Sequence, residues 1–534
     1  MYSSVFNLSV IIYYLSSIPK VFAVSINREK PLNFVIATKL LHNNATFQKA
    51  KITAAIGAVG AAAIIFGAGI IILGSSSIAP VGAIAFTVIC ALIWFALELP
   101  VMVFVRFAFV ASFFFKGEIN FFKIDEIEDP SGLNISLVLV TGLILLIYDL
   151  AIDENRSEKN SIPIVFSLLF AGLLFCAGVS VIYSDADWLG WFSFGSLATS
   201  ILVSCVVASH FGRRERLGEL LAFVAFGLLL TGATALSQYV FNFPTTLDFF
   251  GTGTKDEILG TQSEVLSRVP AFLRTPTEMA WVVSALLPLV FAPVVCAVKN
   301  LPTRHKIILL TAGAAGIIAV ILSLARGSWF GLTAAIIILI FGGWYRLSPA
   351  ERKARIVPAS AAILVAVLFF APFAGKIYER LTADDDGSAA IRLPLLEVAG
   401  EMIADNPLVG VGLNNYRATM TKYDRTGIFV SQVFPNPVHN MFAHVTAEVG
   451  VAGGVIFCLL IGAAFVENWR TMRGDDRLLF ALALAVFAGL SAFVISAMKE
   501  PGSLGSARPP MRTLFFLYGV TLALSRLRRD SRSR

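Results

Sequence analysis

Residues 307–345 read IILLTAGAAGIIAVILSLARGSWFGLTAAIIILIFGGWY, and in this stretch the one charged side chain is Arg326. A helix needs about 20 apolar residues to cross the hydrocarbon of a bilayer. The stretch is therefore read as two spans, 306–325 and 327–345, doubled back on each other with Arg326 and Gly327 at the turn. The rest of the chain has the same character. Of its 534 residues 57% are hydrophobic and 14% charged, with a mean hydropathy of +0.79. Soluble domains carry about 25% charged residues, so soluble, disordered and fibrous classes are excluded.

Apolar runs occur at about 52–75, 79–104, 134–150, 163–183, 188–209, 217–239, 279–298, 306–325, 327–345, 358–375, 441–466, 478–498 and 509–525. The stretch VMVFVRFAFVASFFF (101–115) extends the second run, re-enters the membrane or lies at its interface. The fold expected is all-α, a polytopic transmembrane bundle of about 12–14 spans. Four regions are expected: a segment 1–50 of open role, helices over 51–210, a core over 211–470, and final spans with a basic tail over 471–534. Residues 5–19 are apolar but short, and fit a signal-like segment or an interfacial helix.

Charge orients the bundle. Arg213, Arg214 and Arg216, then Lys299, Arg304 and Lys306, then Arg346, Arg352, Lys353 and Arg355, then Arg470, Arg473 and Arg477, and finally the arginines of the tail fall on one side if each run from 188 onward crosses once. The positive-inside rule makes that side cytoplasmic. The net charge of +7 then needs no nucleic-acid partner. The opposite side carries two long loops, about 240–278 and 376–440, expected to be folded and partly helical. LPLLEVAGEMIAD (393–405) has helical spacing within the second.

The residues able to do chemistry gather on that outer side. SRVPAFLRTPTEMA (267–280) holds Arg268, Arg274 and Glu278. Arg326 sits at a turn with almost no loop around it, and its planar guanidinium suits two phosphate oxygens. The alternative for these arginines is snorkelling to lipid headgroups. NPLVGVGLNNY (406–416) resembles a phosphate-cradling loop, although a short GxG is a weak signal. His439 and Asn440 stand where the long loop meets the next span, and His444 and Glu448 share a helical face. Histidine suits a general base, but one at a helix start more often serves as a cap or interface residue. Asp384, Asp385 and Asp386 read as a solvated turn. The cysteines lack ligand spacing, and no cofactor motif is found.

Taken together, these motifs resemble the bacterial O-antigen ligase and O-antigen polymerase superfamily over about residues 200–470. The resemblance lies in Arg268 through Phe272 to Pro276, in Arg326-Gly327, in Asn406 to Gly412, and in His439-Asn440 followed by Glu448-Val449-Gly450. The chain departs from the pattern at Arg274, where the family usually has Gly or Asp, and near Thr277, where it usually has Asn. The resemblance implies an inner-membrane glycosyltransferase that takes glycan from an undecaprenyl-pyrophosphate donor at the periplasmic face. The acceptor would be another glycan or lipid A-core. It implies pyrophosphate binding by Arg326 and Arg268 and a general base at His439, with no metal or other cofactor. Arg274 and Arg392 become candidates for pyrophosphate or sugar contacts, and Tyr416 and Asn440 for orienting the acceptor or the histidine. The rival class is a transporter such as a lipid-linked glycan flippase. A carrier would place polar groups at mid-membrane in two related halves, whereas these spans carry little central charge and do not repeat.

Overall fold

The computed structural model describes residues 101–115, 118–121, 133–151, 162–184, 187–241, 268–298, 301–354, 375, 378, 388–506 and 508–532. Expectations for residues 1–50, the run 52–75, nearly all of the runs 79–104 and 358–375, the acidic triplet at 384–386 and most of the loop 240–278 lie outside the described residues. The described residues fall in one compact unit that includes Leu99–Arg534.

The architecture is a helical bundle. The helices are α1 (Val101–Ala111), α2 (Leu137–Ala151), α3 (Ile164–Tyr183), α4 (Asp187–His210), α5 (Leu217–Phe241), α6 (Pro276–Val295), α7 (Thr303–Leu322) and α8 (Arg326–Arg346). They continue with α9 (Ser388–Asp405), α10 (Met441–Met472), α11 (Arg477–Ala497) and α12 (Pro509–Arg532). Among the described residues eight helices, α3–α8, α10 and α11, are long and apolar enough to cross a membrane. The quoted stretch is α7 and α8, broken at residues 323–325, so that Arg326 opens the second helix. The ambiguous run 101–115 resolves into the short helix α1, after which the chain turns and buries Phe113 and Phe114. Arg106 in α1 is drawn inward to Glu219 of α5 at 2.8 Å. A small antiparallel ladder, β1 (Glu118–Phe121) with β2 (Leu133–Ser136), precedes α2.

Helix α6 is central. It packs against α7, α8 and α11, while α5 packs on α7, α4 on α12, and α3 on α10. Its start is written in the sequence: Thr275 caps it by accepting from the Glu278 amide at 3.2 Å, and Pro276 opens its first turn. Lipid offers no hydrophobic gain for helix association, so close packing of small residues must supply it. Gly489 of α11 illustrates this, because a Cβ there would collide with the Ala285 carbonyl of α6.

The basic segments meet at one end of this bundle. Arg214 pairs with Asp476, and Asp476 also caps α11 through the amides of Leu478 and Leu479. Arg346 donates to the Gly474 carbonyl at 2.8 Å, and Arg477 grips Glu351 with two bonds of 2.5 and 3.2 Å. Arg528 and Arg470 both reach Glu467, at 2.8 and 2.7 Å. The N-termini of α6, α8 and α10 and the C-terminus of α11 lie toward the other end, with α9 seated on α10.

The outer loop after residue 388 folds round a core of its own. Leu395, Val398 and Met402 from α9 pack with Val411, Tyr416, Met420, Val430, Val438 and Ala447. Helix α9 begins five residues ahead of the stretch read from its spacing, which places Arg392 on the helix itself.

Candidate active site

The site is assembled from four pieces that are distant in sequence. The first is the segment before α6. Ala271 has φ of 51°, and the Gln238 side chain of α5 holds it by donating to its carbonyl at 3.1 Å and accepting from its amide at 2.9 Å. This clamp fixes the segment that carries Arg268. The guanidinium donates through Nε to the Ser323 carbonyl at 3.0 Å and through Nη2 to Thr277 at 3.2 Å. Arg268 therefore turns into the protein, toward the end of α7, and is not committed to lipid headgroups.

The second piece is the turn between α7 and α8. Leu324 adopts φ of 54°, and Ser323 holds the turn through its hydroxyl contact with the Ala325 amide at 3.1 Å. Arg326 follows as the first residue of α8, half-buried, with Gly327 against the segment that leaves α11. A Cβ on Gly327 would lie 3.6 Å from Lys499 Cβ and 3.9 Å from Glu500 Oε1.

The third piece is that segment, 499–508. Lys499 places its ammonium over the Phe330 ring at 4.4 Å. The Glu500 carboxyl feels the charges of Arg268, Arg392, Lys499 and Glu278. Burial pushes its pKa up to about 7, Glu278 adds to that push, and the cations oppose it. Glu278 has a cationic neighbour in Arg508 at 3.6 Å.

The fourth piece is the entrance to α10. Asn440 caps this helix, accepting from the amides of Phe442 and Ala443 at 3.0 and 3.1 Å. The cap fixes His439 immediately ahead of it, beside the Phe434 ring at 5.7 Å. His439 is held well below the usual histidine range, at about pKa 4, chiefly by burial and then by the charges of Arg392 and His444. The imidazole is neutral at any ordinary pH, which is the form a base requires. Its Nδ1 and the Nε of Arg392 are both buried without a hydrogen-bond partner among the described residues. Orphan polar atoms of this kind call for an explanation, and a polar ligand supplies one.

The motif NPLVGVG has a different task from the phosphate cradle its pattern suggests. Helix α10 is interrupted at Gly450, which has φ of 74° and ψ of 172°. The break frees backbone groups that lipid cannot satisfy. Val411 and Gly412 donate their amides to the carbonyls of Ala447 and Glu448 at 2.9 and 3.1 Å, and Val451 donates to the Pro407 carbonyl at 2.9 Å. The amides of Val411 and Gly412 are thus consumed by the broken helix. Gly410, at φ of 70°, packs against the Glu448 carbonyl so closely that any Cβ would collide with it. On the short helical piece ahead of the break, His444 meets Glu448 at 3.2 Å, and Ser503 donates to the same carboxylate at 2.5 Å.

Arg268 and Arg392 act electrostatically on Glu500, and Arg392 on His439, while Glu500 lies close to Gly327, the residue after Arg326. Asn440 acts on His439 through the backbone. Tyr416 is buried in the outer-loop core, with its hydroxyl toward the Leu395 carbonyl at 3.4 Å and hydrogen-bonded to the backbone of Val438, next to His439, and its ring against His444 at 4.8 Å. Arg274 is half-buried on the Arg268 segment, just ahead of the Thr275 cap. Lys499, Glu500, Ser503 and Arg508 were not singled out from sequence. The signal was present as KEPG at 499–502, an ionisable pair at the end of an apolar run.

The family model described as O-antigen ligase matches residues 309–458, a stretch that runs from α7 into α10 and contains Arg326, Arg392 and His439. Arg268 and Glu500 flank it on either side. No curated protein matches the chain.

Proposed function

We propose, from its match to the O-antigen ligase family over residues 309–458, that the chain transfers or polymerises glycan from an undecaprenyl-pyrophosphate-linked donor. The observation that carries the reading is the nearness, at one end of the bundle, of the Arg392 charge to a neutral imidazole, that of His439, whose Nδ1 is buried without a hydrogen-bond partner among the described residues. The basic ends of the helices lie at the other end. By the positive-inside rule that other end is cytoplasmic, so the site faces the periplasm from an inner membrane.

In this mechanism Arg326 and Arg268, with Arg392, bind the donor's diphosphate. His439 accepts the proton of an acceptor hydroxyl, whose oxygen attacks the anomeric carbon. The bond from that carbon to the diphosphate oxygen breaks, and its electrons pass to the leaving lipid diphosphate. One base and direct displacement give inversion. Fixed guanidinium groups stabilise the charge gathering on the leaving group, in the manner of an oxyanion hole. The acceptor is a glycan or lipid A-core, and no metal takes part in these steps.

Arg326→Ala is expected to lower transfer by about 10²–10³-fold, the usual cost of one such stabilising donor. The assay is product formation by purified full-length protein given lipid-linked glycan and acceptor, with unchanged membrane insertion as the control. Wild-type rates from this variant would remove the arginine from the mechanism. The same assay run with EDTA should give an undiminished rate, and loss restored by a divalent ion would contradict charge stabilisation by arginine alone. Movement of unmodified lipid without a new glycosidic bond would instead identify a flippase.

A further inference from the structure

We propose that His444 selects the acceptor: held by Glu448, it takes through Nδ1 a hydrogen bond from a sugar hydroxyl beside the one that His439 deprotonates. The inference deepens the glycan-transfer reading above and rests on it.

Glu448 is fixed from several sides. Its backbone carbonyl accepts from the Ser180 hydroxyl of α3 at 2.6 Å and from the Gly412 amide of the outer loop at 3.1 Å. Its Oε2 accepts from the Ser503 hydroxyl at 2.5 Å. The Ser503 oxygen in turn accepts from the Gly505 amide at 3.2 Å, which leaves the hydroxyl hydrogen for the carboxylate. The remaining oxygen, Oε1, stands 3.2 Å from His444 Nε2. The glutamate side chain is 1% exposed and the imidazole 6%, so neither has bulk water to turn to.

This arrangement decides which imidazole nitrogen is free. A carboxylate oxygen accepts, so in the neutral imidazole the hydrogen sits on Nε2 and Nδ1 keeps a bare lone pair. That Nδ1 is buried with no hydrogen-bond partner among the described residues. Glu448, itself anchored by Ser503, thus orients a ring whose second nitrogen is an unmet acceptor. A buried acceptor left unmet is unfavourable, and a ligand hydroxyl removes the penalty.

The ring lies at the same entrance as His439. The His444 amide donates to the Asn440 carbonyl at 2.9 Å, one turn past the cap that fixes His439. The Tyr416 ring meets His444 edge-on at 4.8 Å, while its hydroxyl is hydrogen-bonded to the backbone of Val438, the residue before His439. One aromatic side chain therefore braces both histidines. His439 is bonded to the Pro437 backbone, and its Nδ1 too is buried without a partner among the described residues. Two acceptor nitrogens at one helix mouth suit a ligand that donates from hydroxyls on neighbouring carbons, as a sugar does. A diphosphate oxygen would meet a lone pair, with the Glu448 carboxylate behind it. The pair of histidines therefore belongs to the acceptor and not to the donor's diphosphate.

The test is steady-state transfer by full-length protein in detergent. The donor is lipid-linked glycan extracted from the cells that make the chain. The acceptor is whichever of lipid A-core and the same glycan freed from its lipid the wild type uses. His444→Gln keeps a donor toward Glu448 and removes the acceptor at the Nδ1 position. It should raise KM for the acceptor about tenfold, the worth of one hydrogen bond, and leave KM for the donor within about twofold. His444→Asn offers an amide oxygen near the Nδ1 position and should recover part of the loss. Nitrogen NMR of protein labelled only in histidine gives a readout that a packing role would not move, with either variant assigning the signal. At about pH 8, above the ordinary histidine range, Nδ1 of His444 should carry no hydrogen. Its resonance should shift on adding the acceptor and stay in place on adding inorganic pyrophosphate. An unchanged acceptor KM in His444→Gln, a hydrogen on Nδ1, or a resonance moved by pyrophosphate and not by the acceptor would overturn the inference and leave the reading standing. If wild type forms no glycosidic bond with either acceptor, the reading fails and this inference with it.

Discussion

His439→Ala should reduce glycan transfer to background while leaving donor binding within about threefold of wild type. Removing a positioned general base costs about 10²–10⁴-fold. The uncatalysed attack of a sugar hydroxyl has no other proton acceptor in this scheme. Donor binding is carried by the arginines, so the loss should fall on turnover and not on affinity. The pH profile adds a second readout. Burial and the nearby Arg392 disfavour the charged imidazolium and hold His439 near pKa 4. A depressed value means the base form persists as pH falls, and the acid limb of kcat/KM should appear near pH 4 and not near 6.5, the ordinary value. An acid limb at the ordinary position would show an imidazole open to water, contrary to the structure. Wild-type turnover from His439→Ala would end its candidacy.

Gly410→Ala should be among the most damaging single-methyl substitutions in the protein. The residue has φ of 70°, a region that costs an alanine about 1–2 kcal/mol. The new methyl would also meet backbone, the carbonyls of Ala447 and Glu448, which no rotamer change can move. The combined cost should be about 3–5 kcal/mol, in the range reserved for buried collisions with strain. Thermal inactivation in detergent should move to markedly lower temperature, with activity lost alongside. Gly400→Ala is the control. It lies on an exposed face of α9 with open space around it, and should stabilise the helix slightly, by roughly 1 kcal/mol or less. Equal melting behaviour of the two variants would mean that the segment 406–412 is not packed against α10 as described.

These two substitutions show which parts of the molecule could be read from residues alone. The spans and the gathering of basic ends were legible because hydropathy and charge are local properties summed over a run. The arginines at 213–216, 346 and 477 announce their side of the membrane without any knowledge of their partners. Gly410 and Gly412 were misleading. Glycines near a turn have the same spacing whether their amides face a phosphate or the open carbonyls of a broken helix, and only the fold tells which. Glu500 escaped notice because its meaning comes wholly from charges brought to it across the bundle. Arg392 could be read as a candidate donor contact, but its electrostatic link to His439 was not legible, because the two stand at opposite ends of the outer loop in sequence.

The interruption of α10 at Gly450 bears on how this protein could be re-engineered. The carbonyls of Ala447 and Glu448 and, just past the glycine, the Val451 amide are bonded to the 406–412 segment, so both sides of the break are tied to the outer loop. A graft intended to import a new acceptor preference should therefore carry the loop together with the helical piece ahead of the break, and join the host chain beyond Val451. A seam placed at the apparent start of the helix would separate donors from acceptors that were paired, and strand both halves.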